Sequence, residues 1–140
     1  MRSLPLSLQN NNEIKVIQHC QKQTVKNILV IDDDPINRKT LALLLKSLKD
    51  FNLFEARNAL LAYKVIEENE IDLIFVDFRM PHVNGLQFAE QMRAKEFNGN
   101  IVLLTGSADE SITSENIEAV LFKPLRKQVL VDYLKFENIL

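Results

Sequence analysis

The 140-residue sequence has one cysteine, three glycines, four prolines and no tryptophan, and neither sign of charge dominates it. Each scarcity excludes something. A single thiol, Cys20, cannot close an internal disulfide and falls short of any cysteine-based zinc site. With 17 Lys+Arg against 19 Asp+Glu the net charge is −2, so there is no basic field to grip a phosphate backbone, and direct nucleic-acid binding is not expected. No uninterrupted apolar run approaches the ~20 residues that a bilayer crossing needs. The opening M-R-S-L-P-L-S-L places Pro5 and two serines where a signal peptide needs an unbroken apolar stretch. The expectation is a soluble, cytoplasmic, single-domain protein without membrane contact.

What the chain does have is regular punctuation. From residue 27 on, Pro35, Pro81, Gly85, Gly99, Gly106 and Pro124 separate apolar segments. Four runs, 28–31, 73–76, 101–104 and 119–122, do not alternate with polar residues, which is how strands covered on both faces read. A shorter, mixed segment at 53–56 reads as an edge strand. Between them, Leu41, Leu44, Leu45 and Leu48 recur at helical spacing after Asp34-Pro35, an N-cap acid before a proline at the first helical position. Asn58 caps a predicted helix over 59–68 with Ala59, Ala62 and Ile66 on one face. Residues 85–96 carry Leu86, Ala89 and Met92, and 125–136 carry Val129, Leu130, Tyr133 and Leu134. The polar stretch 107–116 supports one or two helical turns at most. These elements sum to a (βα)₅ α/β domain over 27–140, a doubly wound parallel five-stranded sheet. Residues 1–26 read as an arm, flexible or partly helical, with Ile14, Ile17 and Cys20 as a weak helical stripe.

In such sheets ligands sit beyond the carboxyl ends of the strands. There the first strand ends in Asp32-Asp33-Asp34, the third in Asp77, the fourth in Thr105 and the fifth in Lys123-Pro124. Clustered carboxylates stay ionised together only when a cation neutralises them. An all-oxygen set with no adjacent His or Cys favours Mg²⁺, or Mn²⁺, over zinc. Asp34 reads as a helix cap. Asp32 and Asp33 read as site residues, because a parallel sheet brings Asp77 and Lys123 to them.

The segments I-L-V-I-D-D-D-P-I-N-R, D-L-I-F-V-D-F-R-M-P-H-V-N-G, I-V-L-L-T-G-S and V-L-F-K-P together resemble the receiver domain of two-component response regulators, across about 27–137. The resemblance implies the flavodoxin-like strand order 2-1-3-4-5. It implies that Asp77 accepts a phosphoryl group from a histidine kinase or histidine phosphotransfer protein, with Thr105 and Lys123 assisting. It implies Mg²⁺ at Asp32, Asp33, Asp77 and the backbone carbonyl of Arg79, and a cis Lys123–Pro124 bond. The chemistry is coherent in its own right, since phosphoryl transfer is mostly positioning and charge neutralisation. His82 and His19 read as solvated histidines, and Cys20 as a free thiol.

Two features depart from the family pattern. Many members carry a Tyr or Phe three residues before the strand-five lysine, where this chain has Val120, whose β-branch leaves few rotamers and no swinging ring. Thr105 to Lys123 spans 18 positions, about one helical turn, or ~4 residues, short of the family pattern, so the fourth helix is shortened. Three readings follow. The first is a single-domain phosphoacceptor that signals through an unknown downstream protein or a phosphorelay, since only 17 residues follow Lys123. The second is a receiver-like interaction module that takes no phosphoryl group. The third, a Mg²⁺-dependent phosphatase, lacks the required acid two residues after the nucleophile, where Arg79 stands, so no enzyme beyond self-phosphorylation and self-dephosphorylation is expected.

Overall fold

A computed structural model describes residues 13–20, 22, 24–106 and 112–140. In chain order the elements are β1 (Ile14–Val16), β2 (Asn27–Ile31), α1 (Pro35–Leu48), β3 (Asn52–Ala56), α2 (Ala59–Glu68), β4 (Leu73–Asp77), α3 (Gly85–Ala94), β5 (Asn100–Thr105), β6 (Ala119–Phe122) and α4 (Lys127–Phe136). The sheet order is β1-β6-β5-β4-β2-β3. Strands β2 to β6 are mutually parallel and, numbered from β2, run in the expected order 2-1-3-4-5.

The sheet period of two sorts each apolar run into two cores. Ile28, Val30, Leu73, Phe75, Val102, Leu104 and Leu121 pack with Leu41, Leu45 and Leu130 of α1 and α4. Leu29, Ile31, Ile74, Val76, Ile101, Leu103 and Val120 pack with Ala62 of α2 and with Phe88 and Met92 of α3. That is why these strands read as unbroken apolar runs. The helix starts are the polar caps expected from the sequence: Asp34 Oδ1 accepts from the Ile36 N–H at 2.9 Å, and Asn58 Oδ1 from the Leu61 N–H at 2.8 Å. Asn84 and Gln87 complete a reciprocal capping box at the start of α3.

Two expectations are corrected. Of the residues read as a weak helical stripe, Ile14 belongs to a sixth strand and Ile17 and Cys20 lie beyond its end: β1 pairs antiparallel with β6, Ile14 opposite Leu121 and Val16 opposite Ala119. The outer edge of β6 would otherwise present unpaired backbone groups, and β1 satisfies them while burying Ile14. The short fourth helix falls partly on 107–111, which lie outside the described residues. Residues 112–118 contain no helix, only a turn at 115–116 and a bend at Glu118, and the five-residue spacing of the buried Ile112 and Ile117 does not fit one helical stripe. No helix among the described residues is long and apolar enough to cross a membrane.

Candidate functional site

The parallel register carries the strand ends to one edge. Asp32 follows β2, Asp77 closes β4 and Thr105 closes β5, with Phe122 paired to Thr105 so that Lys123 follows immediately. Carboxylate oxygens of Asp32, Asp33 and Asp77 lie within 4.8 Å of one another. Asp32 and Asp77 are 2% and 7% exposed, whereas Asp33 is open to solvent. The Lys123 ammonium reaches between the buried pair, with Nζ 2.8 Å from Asp77 Oδ1 and 3.2 Å from Asp32 Oδ2.

The acids are not equivalent. Asp32 is already engaged: its Oδ1 accepts from the Asp34 N–H at 2.9 Å while its Oδ2 faces Lys123. Asp33 is the exposed oxygen donor beside them. Asp77 holds one short contact to Lys123, and burial pushes its carboxyl above the usual carboxylate range; Lys123 pulls it down, while Asp32 and Asp33 push it up. Burial works against the Lys123 charge, yet Asp77 and Asp32 hold it above the ordinary lysine value. Two buried acids, one exposed acid and one lysine leave negative charge in excess, and their hard oxygen donors suit a Mg²⁺-sized cation.

Backbone hydrogen bonds fix the frame. The Lys123 N–H donates to the Thr105 carbonyl at 2.7 Å, the Phe78 N–H to the Leu104 carbonyl at 2.7 Å, and the Gly85 N–H to the Phe78 carbonyl at 2.8 Å. The last of these closes the 78–84 loop onto the end of β4. A Cβ on Gly85 would lie 2.4 Å from Leu103 Cδ1 and 2.8 Å from the Asp77 carbonyl oxygen. Gly85→Ala is therefore expected to cost about 1–3 kcal/mol in urea unfolding, because the helix must shift off the strand that carries Asp77. An unchanged midpoint would show that the approach relaxes freely.

Asp77 also makes a prediction about pH. Folding raises its pKa, so the native state binds the proton more tightly than the unfolded chain. The group favours folding at acid pH, and that contribution is lost as pH rises through the folded value. Asp77→Asn is thus expected to be more stable than wild type at neutral pH in metal-free buffer. The gain should shrink on acidification, as followed by thermal unfolding across pH.

Thr105 is buried at 1% exposure beside Lys123. Gly106 faces open space, and Arg79 is exposed with its guanidinium 6.0 Å from the Phe78 ring. The Lys123–Pro124 peptide is cis, and Asp34 is the helix cap. His82 is exposed at a left-handed position, φ 72°. His19 is not simply solvated, since its Nδ1 lies 3.2 Å from Glu137 Oε1, and Cys20 Sγ meets the Asn100 amide. Val120 is fully buried in the α2–α3 core, and Phe122, on the same face, is half-buried.

Sequence reasoning missed Arg38. Its Nη1 donates to the Asp32 carbonyl at 2.8 Å and its Nε to Glu55 Oε1 at 3.1 Å, which clamps the end of β2. Nothing in the local sequence marks it beyond its place one turn into α1.

A family model described as the response regulator receiver domain matches residues 28–135. The chain belongs to this family. It is 31% identical over 113 residues to the positive alginate biosynthesis regulatory protein of Pseudomonas aeruginosa, covering 78% of this chain and 46% of that protein. It is 32% identical over 108 residues to the sensor histidine kinase RcsC of Salmonella typhimurium, covering 77% of this chain and 11% of the kinase. The chain thus spans less than half the length of these curated relatives. Among solved structures, the response regulator TrrA of Thermotoga maritima, in complex with Mg²⁺ and BeF, superposes with a TM-score of 0.70 at 28% identity, covering 79% of this chain and 97% of that one. A receiver domain from Methylobacillus flagellatus gives a TM-score of 0.71 at 22% identity, with the same two coverages, 79% and 97%. The receiver fold recurs at an identity where little but the core pattern is shared.

Proposed function

We propose that this receiver domain takes a phosphoryl group onto Asp77 from a histidine kinase or histidine phosphotransfer protein in a Mg²⁺-dependent reaction. The observation that carries the proposal is a buried carboxylate at a strand end, 2.8 Å from a lysine and within 4.8 Å of two further acids. An Asp77 oxygen attacks phosphorus in line as the P–N bond of the phosphohistidine breaks. The departing imidazole nitrogen keeps the bonding pair and takes a proton from solvent. Lys123 shifts to a phosphoryl oxygen and spreads its charge, and the Thr105 hydroxyl donates to another. Asp33, Asp77 and the Arg79 backbone carbonyl, with Asp32 alongside, would hold Mg²⁺ (or Mn²⁺), which when bound neutralises charge on the phosphoryl oxygens.

Residues 27–140 form the working unit, acting in the cytoplasm as a signalling domain rather than as an enzyme with a diffusible substrate. Its output is contact with a downstream protein or onward phosphoryl transfer, without nucleic acid or membrane. Incubation with Mg²⁺ and acetyl phosphate is expected to add the mass of one phosphoryl group to wild type and none to Asp77→Ala. No adduct on wild type, or the same adduct on the variant, would refute it. Steady release of phosphate from generic esters would instead favour an enzyme.

A further inference from the structure

The segment preceding β2 takes no part in the phosphoacceptor chemistry, yet it is tied to the strand that delivers Lys123. Beyond the three backbone pairs of β1 with β6, its side and main chains reach one connection. Lys15 Nζ donates to the Ile112 carbonyl at 2.7 Å, and Gln18 Nε2 to the carbonyls of Glu115 and Ile117 at 3.0 Å each. The Ile17 and Gln18 amides both donate to the Glu118 carbonyl, at 2.8 and 3.1 Å. At the other end, the Glu13 carbonyl accepts from the Phe122 N–H at 2.9 Å. The Glu13 carboxylate accepts two bonds from Arg126, at 2.6 and 2.7 Å.

Phe122 and Arg126 bracket Lys123. The Glu13 carbonyl therefore holds the residue directly before the lysine that contacts Asp77 and Asp32. The Lys123 N–H in turn bonds the Thr105 carbonyl, so the end of β5 is held to the lysine that contacts the acid cluster. Residues 112–118, which lead into β6, supply four of the carbonyls that hold residues 15–18.

The hold is also weak enough to release. β1 is three residues long, and the Arg126 side chain of the Glu13 pair is 63% exposed, where an ion pair contributes little.

We propose that residues 13–18 are a strap docked on β6 and on 112–118, and that phosphorylation of Asp77 loosens it and uncovers the outer edge of β6. The inference rests on the phosphoacceptor reading. New phosphoryl oxygens lie beyond the present Asp77 carboxylate, so Lys123 must leave its current partners to reach them. Thr105 is drawn to the same group. Thr105 and Lys123 are pulled toward one centre, while the strap's bonds hold residues 112–118, Phe122 and Arg126 in place. One arrangement has to yield, and the strap, with only three residues of strand and an open ion pair at its end, yields at least cost. Coupling is reciprocal, so a strap that phosphorylation expels must itself oppose phosphorylation. The freed β6 edge is a row of backbone donors and acceptors open to an extended partner.

The test uses the full chain with Mg²⁺ and beryllium fluoride, with fluorine NMR to count the adduct and amide exchange to follow the strap. With the adduct formed, the amides of Ile17, Gln18 and Phe122 are expected to exchange about tenfold faster. Glu13→Gln, which weakens docking, is expected to bind beryllium fluoride up to about threefold more tightly. An adduct accompanied by unchanged or slower exchange at these amides, or an unchanged affinity in Glu13→Gln, would overturn the strap alone. Absence of any adduct on wild type would overturn the phosphoacceptor reading and the strap with it.

Discussion

Lys123→Ala is expected to slow phosphorylation of Asp77 by about a hundredfold or more, with the fold retained when Mg²⁺ is present. The ammonium contacts both buried carboxylates, 2.8 Å from Asp77 and 3.2 Å from Asp32. Without it, Asp77 loses the interaction that holds its carboxyl down against burial. The charge that develops on the transferring group also loses a preorganised partner. Lys123→Arg is expected to recover only part of the rate, because a planar guanidinium cannot occupy the narrow approach between two carboxylates as a point charge does. Initial rates of adduct formation with acetyl phosphate at saturating Mg²⁺ measure both variants. A Lys123→Ala rate within threefold of wild type would remove this residue from the chemistry.

Glu118→Ala is expected to cost about 3–5 kcal/mol of stability, the range found when one member of a buried charged pair is removed. Glu118 is fully buried, which pushes its pKa up, while the Ile101 N–H and Arg93 hold it down. Its Oε1 accepts from the Ile101 N–H at 2.6 Å and from Arg93 Nη2 at 3.1 Å, and its Oε2 from Gln18 Nε2 at 3.0 Å. Truncation leaves a buried strand N–H without its acceptor and strips Arg93 of its countercharge. Arg93 would still donate to the carbonyls of Asn116, Phe97 and Gly99, so the loss falls mainly on the carboxylate side. Glu118→Gln keeps one acceptor and is expected to lose about half as much. Urea unfolding of both variants decides this, and a loss below 1 kcal/mol for Glu118→Ala would show the network to be dispensable.

The same residue shows where reading the sequence stops. Glu118 precedes an apolar strand and looks like an ordinary surface acid. Its partners lie at residues 18, 93 and 101, three separate segments that only the assembled sheet brings together. His19 is a similar case, since its partner Glu137 is 118 positions away. Val120 was legible as a departure, but its complete burial in the α2–α3 core depends on Ile112 and Ile117 packing beside it.

β1 is the clearest instance of local pattern losing to tertiary demand. Ile14, Ile17 and Cys20 fit a helical stripe, while Ile14-Lys15-Val16 fits a strand of three residues, and so short a stretch cannot distinguish them. The open edge of β6 decides, because a strand there satisfies backbone groups that a helix would leave unpaired. That edge exists only once β6 has joined the sheet.

By itself the sequence determined the five parallel strands, the helix starts at Asp34 and Asn58, and the placement of Asp32, Asp33, Asp77, Thr105 and Lys123 at strand ends along one edge. Apolar runs must be buried on both faces, polar caps must satisfy helix N–H groups, and residues that end parallel strands must meet at one edge. These are short-range or topological constraints, and a linear pattern can carry them. Only the tertiary structure decided that Asp32 is spent on a backbone amide and a lysine while Asp33 stays exposed, that Arg38 clamps the end of β2, and that residues 13–18 close the sheet beside Lys123. Each of those depends on distances between segments far apart in the chain, and no local spacing encodes them.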